Sequence, residues 1–354
     1  MITIGVDAHK RMHVALAVDE AGREVGDWQG PNSESGWQHL AAWASALGES
    51  RQWGIEGAWS NGRGLAQHLV GGGEIVYEIN ARWTAMRRRS AHKPGKTDEL
   101  DASAIALFVR QETQALPRVL LEEDDTAILE LLTFQRESAL AEASRLRNQI
   151  HALLLQVDPE YKEHLPTINS KAGLDALRNY APAVDDTIRR ERARAVRRLA
   201  ERLTLALDQE EQLAEEIRQA AKAGFTPLTK LCGINLLTAG RLAAILGPGN
   251  RFTSDAQLAA YAGVAPLEAS SAGHTRHRLN RGGNRRLNHV LYFIVLTQAH
   301  HLPEAKAYLD RRMAEGKSRR EAHLALKRFV IRAIWKLWQE CQERRKTTIC
   351  EVAA

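Results

Sequence analysis

The first eighty residues change hydrophobic period twice, and that switch limits the chain to few folds. Apolar residues alternate at Ile2, Ile4 and Val6, again at Val14, Leu16 and Val18, and resume at Val25, with Asp19-Glu20-Ala21-Gly22 between the last two runs. A repeat of two buries one face of a strand, and acidic residues with glycine make turns, so three antiparallel strands are expected first. The period then lengthens. Ser33 can cap a helix carrying Trp37, Leu40, Trp43 and Leu47 on one side, followed by a strand at 52–57 and a helix at 63–70. The Gly71-Gly72-Gly73 turn leads to a strand at 74–79, and a further helix begins after a loop at 93–97. The order βββαβαβα is that of an α/β, RNase H-like fold.

Farther along, Leu132, Ala139, Leu146 and Leu153 recur every seven residues, with Ile128, Ala143, Ile150 and Val157 beside them. After a break around Pro159, Pro166 and Pro182, the same spacing returns at Val196, Leu199, Leu203, Ala206, Leu213 and Ile217. Two long helices are expected, paired as an antiparallel hairpin or self-associating. Such stripes are ordinarily core packing between neighbours, but these helices are too long for one narrow stripe to cover the other, which favours self-association. Leu231-Cys232-Gly233-Ile234, followed by Ala239, Leu242, Ala243, Ile245 and Leu246, reads as a helix-hairpin-helix that offers backbone N–H groups to a phosphate. A loop at 268–283 and helices at 284–299, 303–315 and 318–343 complete a mainly α C-terminal part. The expected division is 1–118, 119–224 and 225–354.

Two acidic residues end strands: Asp7 the first, Glu56 the fourth. If those strands are neighbours, both carboxylates project from one end of the sheet. Asp98 and Asp101 stand three apart at a helix start and share a face, while Glu99 turns away. Four converging carboxylates repel one another unless a cation neutralises them, and hard oxygen donors suit Mg²⁺ or Mn²⁺ and two-metal phosphoryl transfer. Against this, Asp98 and Glu99 also fit a plain helix N-terminus, where acids offset the dipole. That reading does not explain an acid at the end of each of two strands.

The formal charge is only +6, from 49 Lys and Arg against 43 Asp and Glu, but the basic residues cluster. Arg82, Arg87, Arg88, Arg89, His92, Lys93 and Lys96 precede the acidic helix; His274, Arg276, His277, Arg278, Arg281, Arg285 and Arg286 follow Ser270 and Ser271. A charge run is usually a solvated face; beside an acidic cluster it favours a polyanionic substrate whose phosphates the arginines hold. A serine among guanidinium groups is a candidate nucleophile, although most Ser-Ser-Ala-Gly loops only make turns. With 44% hydrophobic residues the composition is that of a folded chain. Cys232, Cys341 and Cys350 lack zinc or disulfide spacing, and neither a secretory segment nor an uncharged apolar span is apparent, so a cytoplasmic protein with no membrane partner is expected. No phosphate-binding loop for ATP occurs.

Gly5-Val6-Asp7-Ala8-His9-Lys10, Ile55-Glu56-Gly57, Lys96-Thr97-Asp98-Glu99-Leu100-Asp101-Ala102, Tyr261-Ala262-Gly263-Val264-Ala265-Pro266, Ser270-Ser271-Ala272-Gly273 and Arg281-Gly282-Gly283-Asn284 occur in that order over nearly the whole chain. In this the chain resembles the bridge-RNA-guided insertion-sequence transposases of the IS one-ten family, relatives of the Piv-type DNA invertases. The resemblance implies a RuvC-like domain with a metal-binding DEDD tetrad at Asp7, Glu56, Asp98 and Asp101, a coiled-coil segment, and a C-terminal transposase domain with a catalytic serine. That serine would be Ser271, or Ser270 in the adjacent register. It further implies donor and target DNA as substrates, a noncoding bridge RNA as guide, and a homo-oligomer, a dimer assembling to a tetramer, in which tetrad and serine come from different subunits. Two other classes fit the residues. One is a metal-dependent, structure-specific DNA nuclease resembling a Holliday-junction resolvase, which would leave free nicked ends. The other is a non-enzymatic nucleic-acid scaffold, in which losing Asp7 would leave recombination intact.

Overall fold

A computed structural model of the chain describes residues 1–80, 98–121, 125–183, 186–249, 251–265, 267–268, 277–278 and 283–352. Its residues fall into two compact units. One comprises Met1–Ala127, Gly224–Asn235 and Ile245–Ala354; the other comprises Ile128–Ala223 and Leu236–Ala244.

The first unit begins with strands β1 (Ile2–Ala8), β2 (Met12–Val18) and β3 (Glu24–Pro31), then helix α1 (Glu34–Leu47), β4 (Arg51–Glu56), α2 (Arg63–Gly71) and β5 (Val76–Ile79). The sheet order is β3-β2-β1-β4-β5. β1 pairs antiparallel with β2 and parallel with β4, β2 antiparallel with β3, and β4 parallel with β5. This mixed five-stranded sheet has the element order expected of an RNase H-like fold. Period-two alternation sorts the faces. Ile4, Val6, Trp53 and Ile55 bury one face with Leu40 and Ala44 of α1 and Leu65 and Leu69 of α2. On the other lies α3 (Asp98–Glu112), whose Ala102 and Ala106 meet Val14, Leu16 and Val18, and whose Ile105 and Val109 meet Tyr77 and Ile79. Ser33 caps α1 as expected, accepting a hydrogen bond from the backbone nitrogen of Gly36 at 3.3 Å.

Residues 117–119 cover the open edge of β5: the Glu78 amide donates to Pro117 O at 3.0 Å, and the Val119 amide to Val76 O at 2.9 Å. A strand edge left bare would invite pairing with another chain.

In the second unit, most of α4 (Asp125–Val157) lies against most of α7 (Thr187–Gly224), with the short α5 (Tyr161–His164) and α6 (Lys171–Arg178) in the connection. Ala143, Leu146, Ile150 and Leu154 share a buried core with Val196, Ala200, Leu203 and Ala206. The helices run antiparallel, as the ion pairs Arg136–Glu210 and Glu142–Arg202 fix their register. The proline-marked break is therefore not bare loop but two short helices.

The rest of the chain is helical: α8 (Leu236–Leu246), α9 (Asp255–Tyr261), α10 (Arg285–His301), α11 (Pro303–Ala314) and α12 (Arg319–Val352). Before Gly233, where the sequence points to a helix, Thr226–Lys230 forms a 3₁₀ turn. Pro227 stands at the start of that turn, and Gly233 takes a positive φ of 91°, so the run is too short for a full α-helix. Within the expected loop 268–283, Leu267–Glu268 (β6) pairs with His277–Arg278 (β7). None of the described helices is long and apolar enough to cross a membrane.

Candidate active site

Three register rows lie beneath α3 where β1 and β4 run side by side: Thr3 with Gln52, Gly5 with Gly54, and Asp7 with Glu56. The innermost row is a buried polar pair, with Gln52 Nε2 donating to Thr3 Oγ1 at 3.0 Å. The middle row carries no side chains, and the helix uses that space. A Cβ at Gly5 would collide with the backbone of Ala102 and Ala106, and one at Gly54 with the side chain of Val109. Backbone approach this close requires glycine. It sets the first turn of α3, with Asp98 and Asp101, beside the row that ends in carboxylates.

Asp7 is only 7% exposed and Asp101 only 6%. Burial pushes the Asp7 carboxyl up to about 6; His9 opposes the rise, while Glu56, Asp101 and Asp98 add to it through charge repulsion. Asp7 thus feels all three of the other acids. His9 Nε2 lies 3.3 Å from Asp7 Oδ2 and 3.4 Å from Asp98 Oδ2, and donor atoms of Asp7, His9 and Asp98 all fall within 4.8 Å of one another. Such a set, oxygen-rich with one imidazole, fits a hard divalent cation, Mn²⁺ tolerating the nitrogen better than Mg²⁺.

His9 escaped the sequence reading as a site residue. Its signal was its place two residues beyond Asp7, where strand periodicity returns a side chain to the same face. Of the other candidates, Arg285 and Arg286 stand in the first turn of α10, capped by Asn284, whose Oδ1 accepts from the Leu287 amide at 3.0 Å. Arg278 falls on β7. Arg82, Arg87, Arg88, Arg89, His92, Lys93, Lys96, Ser270, Ser271, His274, Arg276 and Arg281 lie outside the described residues.

Comparison with known proteins finds two transposase families in order along the chain. A transposase model of the DEDD type named for IS110 matches residues 4–159, and the model described as "Transposase IS116/IS110/IS902 family" matches residues 226–310. The chain is 28% identical to the 43.6 kDa protein of insertion element IS110 of Streptomyces coelicolor, over 96% of this chain and 94% of that one. It is 26% identical to the 44.8 kDa protein of IS116 of Streptomyces clavuligerus, over 96% and 95%. It is 24% identical to the transposase for IS1328 of Yersinia enterocolitica, over 64% and 65%.

Proposed function

From the premise that the chain belongs to the IS116/IS110/IS902 family of transposases and is a DNA transposase, we propose that it cuts and rejoins insertion-sequence DNA through a two-part centre. One part is the tetrad Asp7, Glu56, Asp98 and Asp101; the other is a nucleophilic serine, Ser271 or its neighbour Ser270. The observation that carries the reading is Asp7: a buried carboxylate facing three further acids is stable as an anion only beside a cation. A divalent ion held by these four acids supplies charge neutralisation and polarises a phosphate.

The serine Oγ attacks phosphorus: an Oγ–P bond forms, one P–O bond to DNA breaks, and the serine proton passes to the released hydroxyl. Attack by a hydroxyl of the other DNA reverses the balance and frees the serine, so no high-energy cofactor is consumed. Arg87, Arg88, Arg89, Lys93, Lys96, Arg276, Arg278, Arg281, Arg285 and Arg286 are assigned to phosphate contacts with DNA and with a noncoding bridge RNA. The division into a RuvC-like part (1–118), a coiled-coil part (119–224) and a transposase part with a helix-hairpin-helix (225–354) belongs to the same proposal. So does a cytoplasmic homo-oligomer in which tetrad and serine come from different subunits. Exposed apolar side chains along α4 at Ile128, Leu131 and Phe134 support the self-association.

A denaturing gel tests the chemistry. DNA should remain attached to wild-type protein and be absent from Ser271→Ala; attachment persisting in both Ser270→Ala and Ser271→Ala defeats the assignment.

A further inference from the structure

Arg251 follows the turn after α8, and only 5% of it is exposed. Its Nη1 donates to Ile245 O at 2.8 Å, and its Nη2 donates to the Glu78 carboxylate on β5 and to the Tyr261 hydroxyl at 3.0 Å. The guanidinium also lies 5.1 Å from the ring centroid of Trp59, 5.2 Å from that of Phe252 and 5.1 Å from that of Tyr261. Trp59 Nε1 donates to Glu78 at 3.1 Å, so the carboxylate is held from two sides.

Beyond Arg251 the network continues. Tyr261 and Asn284 bracket the segment 262–283, which contains both serines. The Asn284 side-chain amide donates to the Tyr261 hydroxyl at 2.7 Å, and its backbone amide to Tyr261 O at 2.7 Å. Burial pushes the Tyr261 phenol up to about 12, so the hydroxyl keeps its proton at neutral pH. Two further contacts run in parallel: the Arg118 amide donates to Arg251 O at 3.3 Å, and the Gln257 side chain to Leu116 O. An ion pair serving only packing needs one partner. This one collects groups from β5, from the start of the 262–283 segment and, through Tyr261, from its end.

We propose that Arg251 is a positioning residue: through Glu78 on one side and Tyr261 with Asn284 on the other, it ties both ends of the serine-bearing segment to the β5 edge of the sheet that carries Asp7 and Glu56. Its catalytic consequence rests on the serine reading above; the tie itself does not. Glu78 alternates with Val76 and so belongs to the face opposite Asp7, and the tie therefore acts through the strand and not by touching the acids.

Full-length wild type, Tyr261→Phe and Glu78→Gln are compared, two variants that keep side-chain shape. In both variants amide deuterium exchange should quicken at least tenfold at 76–79 and at 283–288 together, with 143–157 unchanged. The rate of covalent attachment to DNA should fall at least tenfold while DNA affinity holds, a split that general destabilisation does not produce. Quickening confined to the side of the substitution, or attachment at the wild-type rate, overturns the proposal. Wild-type protein that never attaches to DNA sinks the serine reading instead, and exchange still decides the tie.

Discussion

Asp7 is held where its charge is disfavoured, and pH should expose that. Its carboxyl titrates near 6 in the folded chain against a model value of 3.8. Between these values the folded state keeps a proton that the unfolded state has lost, so stability without metal falls as pH rises from about 4 to 6 and levels off above. The loss is about 3 kcal/mol. Asp7→Asn is therefore expected to stabilise the chelator-treated protein at pH 7.5 by up to about that amount while abolishing DNA attachment. Urea denaturation at pH 4.5 and 7.5 checks it: the variant's advantage should shrink at the lower pH, and a variant less stable than wild type at pH 7.5 contradicts the account. The acids were legible because each ends a strand or opens a helix, positions at which an acid draws notice. His9 was not, since a histidine after a strand reads as the start of a polar turn. Nothing in the sequence marks Arg251 either: it sits in Gly-Pro-Gly-Asn-Arg-Phe, which reads as a turn, and its partner Glu78 is 173 positions away.

At the scale of elements, α3 depends on the empty row formed by Gly5 and Gly54. Gly5→Ala would push the helix off β1, costing about 1–3 kcal/mol as an overpacked contact. It would also carry Asp98 and Asp101 away from Asp7. Mn²⁺ affinity should drop tenfold or more, whereas Gly71→Ala, where nothing lies within 4 Å of an added Cβ, should bind as wild type does; titration by calorimetry reads both. An unchanged affinity in Gly5→Ala would dissociate the helix from the cation. Most elements were readable, because alternation and heptad spacing record which face is buried. The short ones were not: α5, α6 and α9 have too few turns to establish a period, and the stretch at 226–230 has apolar residues enough for a helix but only five positions.

On the scale of the molecule, one compact unit is assembled from both ends of the chain around a hairpin formed by its middle. Periodicity reveals each piece but not this closure, for contacts between distant residues leave no repeat behind. A fragment ending at Ala127 would lack Arg251, Gln257 and the helices that follow, leaving Glu78 without its arginine. It should show no cooperative thermal transition and should bind a hydrophobic dye, unlike the full chain; a sharp transition in the fragment would show that the N-terminal part is self-sufficient. The same closure orders events during synthesis. Between the emergence of Val119 and that of Arg251 a ribosome must add about 130 residues, roughly ten to twenty-five seconds of translation. For that interval a newborn chain holds its acids on a half-finished platform, and nuclease or joining chemistry has to wait until the message has been read almost to its last quarter.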